Sequence, residues 1–171
     1  MPSTTYRRFR KKEQIETRIP THKLICFQIN KEQYAIPIFQ VQYVLKDFTT
    51  QGTLMNGHSL VRHNDENIVL IDISRLFLYE NKSRDGVALS VADRNYLIVC
   101  NTKTNELIGL PTADIPRVLE IAEDCFDKLP SIYQNQVGSK GVQKLINIVN
   151  NGTLFYLNID HLYEIAIKNT I

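Results

Sequence analysis

The sequence predicts an all-β fold with minor helices: two small five-stranded barrels and a C-terminal helix. Three observations predict it. Short apolar runs rich in β-branched and aromatic residues are separated by polar turns, the pattern of half-buried strands. The order of these runs occurs twice along the 171 residues. Each copy also ends in Asp or Asn placed before a helical apolar spacing, a capping signal.

The repeat is visible when Leu24–Leu45 is set over Ile98–Leu119 without a gap. Leu24-Ile25-Cys26 then falls on Ile98-Val99-Cys100, and Ala35-Ile36-Pro37 on Gly109-Leu110-Pro111. Val41 falls on Ile115, and Val44-Leu45 on Val118-Leu119. Further on, Ile71–Phe77 matches Leu157–Tyr163.

In the first copy, Leu24–Ile29 is an apolar strand, Asn30–Gln33 a polar turn and Tyr34–Ile36 the returning arm of a hairpin. Pro37 lacks a donor and ends the pairing. Val41–Leu45 is a third strand, and Leu60–Arg62 and Ile68–Ile71 follow a polar loop containing Gly52 and Gly57. Asp72 caps a helix whose apolar side is Ile73, Leu76 and Phe77. In the second copy the strands are Tyr96–Cys100, Leu107–Leu110, Ile115–Ile121, Leu145–Val149 and Leu154–Leu157. Asn158 caps the closing helix, Ile159–Ile167. Closure of each five-strand unit into a barrel removes the edges that an open sheet exposes. The expected layout is a basic arm over residues 1–21 and a folded unit over 22–171. Within that unit, one subdomain covers about 22–80, a connector 81–94, and a second subdomain about 95–171.

Charge separates the arm from the body. Of 20 basic and 18 acidic residues, 6 and 2 lie in the first nineteen, which leaves 14 basic and 16 acidic for the rest. A slightly acidic body argues against a nucleic-acid groove in the barrels. The alternative function, a small β-barrel nucleic-acid-binding protein, rests on the arm, where Tyr6 and Phe9 stand among arginines. Cys26, Cys100 and Cys125 show no CxxC spacing, so neither disulfide nor zinc is expected, and a reducing, cytoplasmic compartment fits. No apolar stretch is long enough for a membrane helix. His22, His58, His63 and His161 are scattered, and no phosphate loop, dinucleotide fingerprint or nucleophile elbow is present. No catalysis, small-molecule substrate, cofactor or metal is expected.

Several segments resemble CheW-like coupling proteins. These are Leu24–Ile29, Tyr34-Ala35-Ile36-Pro37 with Val41 and Val44, Leu60-Val61-Arg62 and Ile68–Ile73. Ile108-Gly109-Leu110 with Val118-Leu119, and Leu157-Asn158-Ile159-Asp160 with Leu162, complete the order. The resemblance implies two five-stranded barrels and a non-catalytic adaptor. Its partners would be a CheA-type histidine kinase and a methyl-accepting chemoreceptor or similar protein, in a chemotaxis, phototaxis or motility system. Three positions depart from the family pattern: Tyr43 stands where the family has Glu, His63 where it has Gly and Val69 where it has Pro, and the stretch between Arg62 and Asp72 is longer than the family's. The expected partner-binding residues are Ile38, Val41, Tyr43, Arg62, Leu110 and Ile115. All but Tyr43 are expected to line a groove between the barrels, with Arg62 offering a bidentate contact to a carboxylate.

Overall fold

The computed structural model describes residues 18–53, 58–78, 94–136, 141–150 and 152–168. Residues 1–17 of the basic arm and residues 79–93, which hold all of the connector except Arg94, lie outside the described residues. The first-half strands are β1 (Thr21–Ile29), β2 (Glu32–Pro37), β3 (Val41–Lys46), β4 (Thr50–Thr53), β5 (Ser59–His63) and β6 (Glu66–Leu70). Helix α1 (Ile73–Leu78) follows, then β7 (Tyr96–Asn101), β8 (Leu107–Thr112), β9 (Arg117–Ala122) and β10 (Phe126–Lys128). Helix α2 (Ser131–Gln136), β11 (Val142–Ile148), β12 (Gly152–Leu157) and helix α3 (Ile159–Lys168) complete the order. The short strands β4 and β10 were not anticipated, so each sheet has six strands rather than five. β9 also starts at Arg117, which leaves Ile115 in the preceding loop.

The sheets do not follow the two halves of the sequence. Sheet A runs β10-β11-β12-β2-β1-β9, and sheet B runs β3-β7-β8-β6-β5-β4. Sheet B is therefore built from the continuous stretch 41–112, whereas sheet A joins the N-terminal hairpin to strands near the C-terminus. Each half of the sequence, 22–80 and 95–171, lends its first hairpin to the other half's sheet. Apolar periodicity states that a strand is buried, not which neighbour buries it.

Connectivity forces both sheets to roll up. β9 and β10 are the two ends of sheet A, yet only the 3-10 turn Glu123–Cys125 joins them. Flat, six strands would separate the ends by roughly 24 Å. The link reaches about 14 Å at most. β3 and β4, the ends of sheet B, are likewise joined by residues 47–49 alone. Each sheet is curled into a barrel, here called A and B.

Residue pairing shows that the barrels are internal twins. Ile25 pairs with Val118 and with Ile36 in barrel A. In barrel B Ile98 pairs with Val44 and with Leu110. The parallel pair Phe155–Tyr34 has its counterpart in Val69–Ile108. This correspondence sets Ile25, not Leu24, over Ile98, so the ungapped overlay is off by one in the first strand. The two cysteines are consequently not equivalent: Cys26 lies inside barrel A and Cys100 in the core between the barrels.

Three cores result. Barrel A encloses Leu24, Cys26, Ala35, Ile121, Ile146 and Leu154. Barrel B encloses Val61, Ile68, Leu70, Leu97 and Val99. The largest core lies between them, where Ile25, Phe27, Ile36, Ile98, Cys100 and Leu110 meet Ile159 and Leu162 of α3. Strands β1 and β7 each contain an unbroken apolar run, Leu24–Phe27 and Tyr96–Cys100, because one face fills a barrel and the other fills the shared core.

The helix caps form as expected. Asp72 Oδ1 accepts from Ser74 N at 3.1 Å, and Asn158 Oδ1 accepts from His161 N at 3.1 Å. Asp72 also receives the buried guanidinium of Arg94, Nη1 to Oδ1 at 2.7 Å, and Arg94 Nη2 donates to Ser74 Oγ at 2.8 Å. This pair ties the start of α1 to the residues that lead into β7.

Candidate functional site: the barrel crossovers

The chain passes between barrels at two twin places. It leaves barrel A through the 3-10 turn Ile38–Gln40 and returns through residues 113–116. Each crossover follows a buried proline: Pro37 is the last paired residue of β2, where its missing donor suits the end of the ladder, and Pro111 is the last but one of β8. These segments carry exposed apolar side chains: Phe39 is 82% exposed and Ile115 66%. Beside them, the row Val118–Ile25–Ile36 and its twin Val44–Ile98–Leu110 run outward from the shared core. Their inner members are buried and their ends, Val118 and Val44, are exposed. Fixed apolar groups at the edge of a rigid core lose little entropy when a partner covers them.

Helix α3 braces the first crossover. Asp160 Oδ2 accepts from Gln40 Nε2 at 3.3 Å, and its Oδ1 accepts from Lys103 N at 2.7 Å. One carboxylate thus holds both the turn that carries Phe39 and the β7–β8 turn.

The predicted site residues divide three ways. Ile38 and Ile115 lie on the crossovers and are exposed, while Val41 stands half-buried beside the first crossover and packs against the shared core. Leu110 is fully buried in that core and has no surface to offer. Sequence spacing placed it near Ile115 but could not show that β8 is covered on both faces. Arg62 stands exposed on β5, with β6 between it and β8, and pairs across the β5–β6 turn with Asp65 at 3.5 Å. Asn64 and Asp65 both have positive φ there, the conformation of a two-residue hairpin turn.

Tyr43 turns inward, against the core of barrel B, and its ring centroid lies 5.6 Å from that of His63. Burial, then the nearby Glu66 carboxylate, raises the Tyr43 hydroxyl above the usual phenol range. Tyr43 and His63, both singled out by the resemblance, therefore touch each other as an aromatic pair. Phe39, Val44, Val118 and Asp160 were missing from the predicted set. The signal for the valines was the matched position of Val44 and Val118 in the repeat, each on the outward phase of its strand.

At the second crossover the mouth of barrel A forms a cavity of about 250 Å³. Cys26, Leu119 and Leu154 lie within it, with Gln28, Gln33, Asp114 and Arg117 also on its walls. Burial pushes the Cys26 thiol up to about 11, against the opposing effect of Arg117, so the floor is uncharged.

The CheW-like domain profile matches residues 23–166. No curated protein matches the chain at a significant level. Among solved structures, scaffolding protein TtCheW from Thermoanaerobacter tengcongensis superimposes with a TM-score of 0.67 at 17% identity. The match covers 85% of this chain and 94% of that one. At that identity the likeness concerns the fold.

Proposed function

Because the chain belongs to the CheW-like domain family, a family of non-catalytic scaffolds, we propose that it couples a CheA-type histidine kinase to chemoreceptors. It would do so in the cytoplasm, within a chemotaxis, phototaxis or motility system. The observation that carries this reading is the family match over residues 23–166, nearly the whole folded part. The geometry agrees with it: a rigid double barrel holds exposed apolar crossovers at its seam, and no helix among the described residues is long and apolar enough to cross a membrane. A scaffold needs such fixed patches, since a few well-packed anchors carry most of an interface's energy.

Two substitutions test it in a reconstituted mixture of kinase, receptor and this chain. Phe39→Asp removes an apolar anchor and should lower receptor-coupled kinase activity at least tenfold. Arg62→Glu should weaken receptor pull-down. Both side chains are exposed, so the thermal midpoint should move by no more than a few degrees. Failure of the unaltered chain to bind either kinase or receptor rejects the proposal.

A further inference from the structure

The twin barrels differ at one end, and the difference has the shape of a binding site. In barrel B, Tyr43 and Leu107 pack against the barrel core, while Val41 packs against the shared core. The corresponding positions in barrel A, by strand pairing and crossover, are Arg117, Gln33 and Ile115. Arg117 and Ile115 are exposed, and all three line the cavity at the barrel's mouth. The space that a phenol ring and one aliphatic side chain help to fill in barrel B is open in barrel A. Its volume of about 250 Å³ exceeds the roughly 150 Å³ apolar cavity that takes a benzene ring.

We propose that the mouth of barrel A is a docking pocket for one tyrosine side chain presented by a partner protein. The ring would rest on Cys26, Leu119 and Leu154, which belong to the apolar interior of the barrel. The hydroxyl would stay at the rim, where Gln28, Gln33 and Arg117 supply donors and Asp114 an acceptor. Arg117 makes no ion pair among the described residues, which leaves its guanidinium available for that oxygen. The choice of occupant follows from the molecule itself, because Tyr43 is what its own twin barrel uses. The partner's role rests on the coupling reading; the pocket's chemistry does not.

The test uses p-cresol, the tyrosine side chain without its backbone, titrated into the full chain with methyl resonances followed by NMR. Saturable shifts are expected at Ile115, Leu119 and Leu154, with Leu45, Ile68 and Leu107 of barrel B unmoved. Arg117→Tyr, which installs the twin's residue, should abolish them, and Ile115→Trp at the exposed rim should do the same without touching the core. Absent binding, shifts of equal size in both barrels, or unchanged binding in the two variants would each overturn the pocket. Both variants should also weaken assembly with kinase and receptor at least tenfold. If p-cresol binding is lost while assembly is unchanged, the mouth takes a free phenolic molecule and the docking role is wrong. If the unaltered chain binds p-cresol but neither protein, the coupling reading fails and the docking role with it, while the pocket stands.

Discussion

Replacing Arg94 with Met should cost about 3 kcal/mol of stability, near the lower end of the range for breaking a buried ion pair. The Arg94 and Asp72 side chains are only 3% and 10% exposed, with 2.7 Å between Nη1 and Oδ1. Methionine is similar in length, so little cavity arises; the loss comes from stranding a carboxylate away from water. The lower end applies because Asp72 Oδ1 keeps two donors, Ser74 N at 3.1 Å and Ser74 Oγ at 2.6 Å. For a domain of this size the thermal midpoint should fall by roughly 6–12 °C. Urea unfolding followed by far-UV circular dichroism measures it, since the chain has no Trp to serve as a fluorescence probe. Adding Asp72→Asn to Arg94→Met should recover most of the loss, because an amide can still cap α1 and carries no charge. A loss under about 1 kcal/mol for Arg94→Met, or a double variant weaker than the single, would refute the reasoning.

Three further outcomes are expected. Gly109→Ala should destabilise by about 1–3 kcal/mol in chemical denaturation, because its Cβ would stand 2.8 Å from Leu97 Cδ1 and 3.0 Å from Ile68 Cγ2 inside barrel B. His58 titrates below the ordinary imidazole value of 6.5, chiefly through burial, with a backbone hydrogen bond at Leu70 opposing and Arg75 adding to the shift. The unfolded chain therefore takes up the proton first, and stability that is full above pH 6.5 declines as pH falls toward the folded value. A His58→Gln variant should show a shallower decline in thermal midpoint over that window. Native-state alkylation should modify half-buried Cys125 before Cys26 and Cys100, both buried, with mass spectrometry reading the order.

Much of the fold was legible along the chain. Ten of the twelve strands among the described residues, the two helix caps and the duplication follow from apolar runs, turn residues and Asp72 and Asn158. The missed strands have clear causes: β10 is three residues long, and β4 carries Gly52 and two polar neighbours. Neither has a periodicity to detect. The candidate site was less legible. Ile38 and Ile115 lie at the surface, whereas Leu110, with the same apolar character, is fully buried.

By itself the sequence determined which segments form strands, where the chain turns, and that two similar units exist, because these depend on side-chain chemistry and spacing within a few residues. Only the tertiary structure decided which hairpin enters which barrel, that Tyr43 pairs with His63, and that Arg117 leaves open what Tyr43 helps to fill. Those outcomes depend on contacts between strands far apart in the chain. A local pattern fixes how much surface a strand must bury, but the partner that buries it is chosen by how the whole chain closes.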